Sequence, residues 1–136
     1  MIVADTNIIS YFLLPSSYSD STDQLFTLEP DWIAPTLWKS EFRNVLALYL
    51  RKEIITFEKA LQLQETAESI MANHEYNVSS SHILNLVNKS NCSAYDCEFV
   101  ALAKYKNIPL ITQDKKVLRE FPLDAISIVN FIHEKT

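Results

Sequence analysis

Four carboxylates in this 136-residue chain, Asp5, Glu41, Asp96 and Asp114, are placed where chemistry is possible. Asp5 ends a short apolar run, Met1-Ile-Val-Ala4, and Asp114 follows a second, Ile108-Pro-Leu-Ile-Thr112. Both runs read as strands that deliver an acid just past their C-terminal ends, where open parallel sheets bind ligands. Asp96 stands three residues after Ser93, in the first turn of an expected helix, where the helix dipole favours negative charge. Glu41 shares a helical stripe with Leu37, Val45 and Leu48, so it points inward, and no Lys or Arg lies on that stripe. Burying an unpaired charge is costly. Inward acids without bases therefore either keep a proton, because like charges raise one another's pKa, or are neutralised by divalent cations. Oxygen-only ligands select hard ions such as Mg²⁺ or Mn²⁺. Taken singly, each acid has a plainer reading: Asp5 and Asp96 as helix caps, Asp114 as a turn residue, Glu41 reaching solvent.

The elements that must position these acids follow from periodicity and capping. Strands are expected at Met1–Ala4, Trp32–Ala34, Tyr76–Val78, Ile108–Thr112 and Ala125–Val129. Between them, helices are expected over Asn7–Leu14, from a cap at Ser21 or Thr22 to Leu28, and from a Thr36 cap along the Glu41 stripe. Further helices are expected over Phe57–Ala72, from Ser79 or Ser80 to Val87, from Ser93 to Asn107, and over Val117–Phe121. Strands alternating with helices imply one α/β domain over residues 1–136, with a mostly parallel sheet and helices on both faces.

Composition narrows the chemistry. The chain contains no glycine. Phosphate-cradling loops, dinucleotide fingerprints and the G-x-S-x-G elbow all need a residue without Cβ where backbone meets ligand, so those enzyme classes are excluded. The chain must still turn, and Asn73 and Asn107 near helix ends are expected to serve as left-handed caps, Asn107 with positive φ. Cys92 and Cys97 are too few for a disulfide framework or a zinc site and read as reduced thiols of a cytoplasmic protein. His74, His82 and His133 show no metal-ligand spacing, and Ser79-Ser80-Ser81-His82 reads as helix capping. The first Lys or Arg is Lys39, which leaves no positive segment for a secretory signal, and Ile8–Leu14 is too short to span a membrane. Net charge is −5; without the four candidate acids it would be −1, so the acidic balance does not exclude an RNA partner.

Met1-Ile-Val-Ala-Asp-Thr-Asn-Ile8, Lys39-Ser-Glu-Phe-Arg-Asn-Val-Leu46, Tyr95-Asp-Cys-Glu-Phe-Val-Ala-Leu-Ala103 and Pro109-Leu-Ile-Thr-Gln-Asp114 together resemble, in order and spacing, the four signature segments of PIN domains. The resemblance spans essentially the whole chain and is greatest to VapC-type toxin endoribonucleases of toxin–antitoxin pairs. It implies a three-layer α/β/α fold with a five-stranded sheet of order 3-2-1-4-5. It also implies a Mg²⁺-dependent ribonuclease, with Mn²⁺ as substitute, that hydrolyses phosphodiesters with metal-activated water. Asp5, Glu41, Asp96 and Asp114 would then be the catalytic, metal-binding acids, and Thr6, Asn7 and Thr112 the polar residues supporting them. Lys115, Lys116 and Arg119 are the candidate RNA contacts; Lys39 and Arg43 lie about 200° around their helix from Glu41. The implied partners are RNA, a cognate antitoxin and a second copy of the chain, with no membrane. Tyr11, Phe12, Trp38 and Tyr49 belong either to the core or to a partner-binding face. Cys97 and Asn107 replace the family's usual small residue and glycine, and Lys115-Lys116 stand where a fifth acid sometimes occurs. The competing reading is a PIN-like scaffold with weak or no catalysis.

Overall fold

The computed structural model describes residues 1–136. It contains β1 (Ile2–Ala4), α1 (Thr6–Leu13), α2 (Ser19–Leu28), β2 (Trp32–Pro35), α3 (Leu37–Arg51), α4 (Phe57–Met71), β3 (Glu75–Tyr76), α5 (Ser80–Asn88), α6 (Ala94–Lys106), β4 (Leu110–Ile111), α7 (Lys115–Glu120), β5 (Ala125–Ile126) and α8 (Ile128–Lys135). Every strand pair is parallel, and the sheet order is β3-β2-β1-β4-β5, as the resemblance implies. All residues of β1 and β2 are buried, so helices cover both sheet faces. Helix α6 crosses β1, β2 and β4, while α3 and α4 pack against β2.

Strand order reverses between β1 and β4. Val3 pairs with Leu110 and Ala4 with Ile111, so the next residues along, Asp5 and Thr112, emerge side by side. The Asp5 N–H donates to the Ile111 carbonyl at 3.1 Å and extends that register by one residue. A crevice at this reversal, beyond the strand ends, is the position at which open α/β sheets bind ligands.

The core is a single cluster containing Trp32, Trp38, Phe42 and Phe99, each with almost no exposed surface. Trp38 is thus a core residue, and its indole N–H donates to Glu75 Oε2 at 2.8 Å. Phe12 packs against Phe26 and Trp32. Cys97 is fully buried within α6 and Cys92 nearly so; both are free thiols, and burial pushes the Cys92 thiol up to about 11.

Three chain turns take the left-handed conformation that glycine otherwise supplies. Asn73 and Asn107 do so, as expected, and Glu53 does so as well. At Glu53 the Ile54 N–H reaches the Tyr49 carbonyl and the Glu53 N–H reaches that of Leu50, both at 3.0 Å, closing α3 in a Schellman arrangement.

Four local expectations are corrected. Helix α2 starts at Ser19, and Thr22 is buried inside it with its hydroxyl donating to backbone carbonyls, so neither Ser21 nor Thr22 is its cap. Thr36 has helical torsions and makes no side-chain cap bond. Strand β3 comprises Glu75–Tyr76, because the chain leaves the sheet at Asn77 to reach the Ser79 cap of α5. The last strand stops at Ile126: the Ser127 hydroxyl accepts from the Asn130 N–H and opens α8, so the apolar run through Val129 divides between strand and helix.

Candidate active site

The site is built outward from the β1–β4 pair. Asp5 is the N-cap of α1 and accepts the Thr6 N–H on Oδ1 at 2.7 Å. Its Oδ2 receives the Thr112 hydroxyl at 2.7 Å and the Asn7 amide at 3.4 Å. Thr112 has no exposed surface, and its hydroxyl oxygen accepts in turn from Asn7 Nδ2 and from the Asp114 N–H. Asn7 Oδ1 accepts the Gln113 N–H, which ties α1 to the loop after β4. Parallel pairing has thus placed a hydroxyl and an amide where they fix one carboxylate.

Helix α3 contributes Glu41. The packing of α1 on α3 lets the Thr6 hydroxyl donate to Glu41 Oε1 at 2.7 Å. Helix α6 contributes Asp96, whose N–H donates to its N-cap, Ser93 Oγ, at 3.1 Å. Asp114 is the N-cap of α7, and its Oδ1 accepts both the Lys116 and the Val117 N–H. The plainer reading is right that Asp5 is a cap and is corrected at Asp96, where Ser93 holds the cap position. It understates Asp114, which caps α7, so Asp5 and Asp114 both have capping duty. That duty does not remove them from the cleft. Asp5, Glu41, Asp96 and Asp114 all line one cavity of about 580 Å³, and none of its 16 lining residues is Lys, Arg or His.

The electrostatics follow from this one-signed wall. Burial, opposed by the Thr112 and Thr6 hydrogen bonds and reinforced by Glu41 and Asp96, pushes Asp5 up to about 7 from an ordinary 3.8. Glu41 is raised by burial and, secondarily, by the Asp96 charge, against the Thr6 bond. Asp96 is raised by burial and then by Asp114, while Ser93 and Lys116 act in the opposite sense. The acids thus feel one another across the cleft.

All four donors are carboxylates, and the cleft holds no cationic side chain to neutralise them. That donor set suits a hard divalent cation. No three His, Cys, Asp or Glu side chains stand close enough to share an ion in this arrangement, in which both Asp5 oxygens are held by hydrogen bonds. Asp114 keeps its second oxygen free of cap bonds.

Lys115, Lys116 and Arg119 are exposed on α7 and do not line the cleft, although Lys116 is near enough to affect Asp96. Lys39 is directed away, pairing with Glu75 Oε2 at 3.7 Å. The cleft also contains residues that motif reading passed over: Ser10, Ser40, Asn44 and Tyr95. Asn44 had a readable signal, since it lies three residues after Glu41 and so on the same helix face. Tyr11 and Tyr49 line the cleft too, partly exposed, which separates them from Trp38.

Comparison with known proteins places this geometry. A family model for the PIN domain matches residues 2–122. No curated protein matches the sequence. Among solved structures, FitAcB from Neisseria gonorrhoeae superposes with a TM-score of 0.74 at 19% identity, covering 95% of this chain and 99% of that one. PAE2754 from Pyrobaculum aerophilum gives 0.78 at 15% identity, covering 98% and 94%. A toxin–antitoxin complex from Klebsiella pneumoniae gives 0.69 at 16% identity, covering 94% and 98%. At these identities the likeness is one of fold.

Proposed function

Because this chain belongs to the PIN-domain family, we propose that it is a metal-dependent endoribonuclease and the toxin of a toxin–antitoxin pair. The observation that carries the reading is the cleft wall: four carboxylates on four different elements, with no basic side chain among them. A scaffold gains nothing from such repulsion, whereas a nuclease uses it to hold cations. Asp5, Glu41, Asp96 and Asp114 would hold Mg²⁺, or Mn²⁺ in its place. When bound, such an ion polarises the phosphodiester and lowers the pKa of attacking water.

The chain's own residues do the positioning. Thr112, Asn7 and the Thr6 N–H lock Asp5 in one orientation, and the Thr6 hydroxyl holds Glu41. Asp114, with one oxygen outside its cap bonds, lines the same cleft as Asp96. Lys115, Lys116 and Arg119, exposed on α7, are the proposed phosphate contacts at the margin. A toxin–antitoxin complex among the fold neighbours supports a cognate antitoxin as protein partner, and the proposed working form is a homodimer in the cytoplasm. No helix is long and apolar enough to cross a membrane.

One observation favours the scaffold alternative: the acids are not converged on a common point. Cleavage of RNA with Mg²⁺ or Mn²⁺, compared with EDTA, decides between the two. Wild type is expected to cleave only with metal, and Asp96→Asn to lose activity at least about a hundredfold, the scale of removing one transition-state electrostatic contact. Equal degradation by both proteins would remove Asp96 from the site; no cleavage by wild type would favour the scaffold.

A further inference from the structure

A ribonuclease cleft must hold more than the scissile phosphate, and this one has nothing cationic of its own to offer a phosphate. Its remaining walls offer aromatic faces and short hydrogen-bonding side chains. Tyr95 immediately precedes Asp96, is 64% exposed and lines the cleft with the acids. The same residue borders a second hollow of about 270 Å³ between α5 and α6, next to Ile83 and Leu84, and so forms the ridge between the two. On α3, Asn44 and Ser40 flank Glu41, and both line the cleft with exposed side chains. Tyrosine faces bind any base by stacking, while amides and hydroxyls discriminate by hydrogen bonds to base edges. The cleft volume suits a group of nucleotide size, and an unpaired base offers it both a stacking face and a free hydrogen-bonding edge.

We propose that Tyr95 is the stacking platform for an unpaired nucleobase beside the scissile phosphate, and that Asn44 and Ser40 read that base's edge. The cleft thereby divides its labour: acids for the phosphate, Tyr95 and α3 for the base. The proposal rests on the ribonuclease reading for the chemistry at the phosphate. Its test includes binding, so that the two can fail separately.

The experiment measures polarisation of fluorescein-labelled hexaadenylate and hexauridylate, and of a hexamer duplex, with Ca²⁺ in place of Mg²⁺. Cleavage kinetics in Mn²⁺ are run in parallel. Wild type should bind single strands and not the duplex. Tyr95→Ala should weaken single-strand binding and raise KM roughly tenfold to a hundredfold, with a smaller change in kcat. Tyr95→Phe should restore both, because it keeps the ring. Asn44→Ala should change the ratio of affinities for the two sequences. The Mn²⁺-induced shift in Tm of Tyr95→Ala should equal that of wild type, which shows the fold and the acids intact. Unchanged binding and KM in Tyr95→Ala overturns the platform, as does failure of wild type to bind either strand. Unchanged oligonucleotide binding with loss of capture by a co-expressed antitoxin assigns the ring to protein docking and equally overturns it. Loss of binding in Tyr95→Ala from a wild type that never cleaves supports the platform and sinks only the ribonuclease reading.

Discussion

Thr112 has one hydroxyl proton, and it goes to Asp5 Oδ2; the oxygen's lone pairs then take the Asn7 amide and the Asp114 N–H. One buried side chain therefore orients two cleft acids, and valine, of the same shape, does neither. Thr112→Val is expected to cost about 1–3 kcal/mol in stability and to weaken Mn²⁺ binding, as read by calorimetry. Asp5 also sets a pH dependence. Its pKa is about 7 in the metal-free folded chain and near 3.8 when unfolded, so between these values the folded state binds more protons. Stability is then greatest below about pH 4 with respect to this group, and is lost as pH rises through about 7. The loss is on the order of a few kcal/mol. Denaturant titrations in EDTA at pH 5 and pH 8 should show it, and Asp5→Asn should flatten the difference. At this scale Asp5 and Asp114 were legible as the polar ends of apolar runs, and Asp96 as the acid three residues after Ser93. The stripe that singled out Glu41, in contrast, is not the buried face of α3, which carries Trp38, Phe42 and Leu46 while Leu48 is exposed. Asn44 was legible as well, three residues on from Glu41, but nothing in the spacing marks Ser40 or Tyr95, and only the fold reveals that they share the cleft.

Helix ends decide where the elements stop, and here they do so without glycine. Asn107 closes α6 at φ 56° and ψ 47°, directing the chain into β4 and so setting the position of Thr112. Glu53 performs the same turn after α3 at φ 56° with a side chain poorly suited to it. Glu53→Gly is therefore expected to stabilise the chain by up to about 1 kcal/mol, a few degrees in Tm, partly offset by the unfolded-state entropy of glycine. Asn107→Ala should lower Tm. Scanning calorimetry distinguishes both from wild type. Helix α4 was readable from its periodicity, though not its Thr56 cap, and α6, whose apolar residues do not keep to one face, from its Ser93 cap. The end of β5 was not, because Ala125–Val129 is a mostly β-branched apolar run broken only by Ser127, and the helix that Ser127 caps is recognisable only from its packing against α2.

For the molecule as a whole, the acids beyond the C-terminal strand ends are a stability liability that, on the proposed function, a bound cation would relieve. Mn²⁺ should raise the Tm of wild type more than that of Asp114→Asn; binding stabilises a protein by RT ln(1 + [L]/Kd), about 2.7 kcal/mol at a hundredfold excess over Kd. Equal shifts in differential scanning fluorimetry would remove Asp114 from the metal set. In EDTA alone, Asp114→Asn relieves repulsion but keeps an oxygen for its cap bonds, so its Tm should not fall below that of wild type. The outer strands bear on a different matter. Each border of the sheet, β3 and β5, is only two residues long. That is too short a ledge of unpaired backbone groups to template a further strand. Self-association by edge pairing is thereby suppressed, and a protein inhibitor cannot work by β-augmentation, as ligands of PDZ domains do. A protein that inhibited this fold would thus be held chiefly through side chains and helix faces, and its specificity would reside in those surface residues.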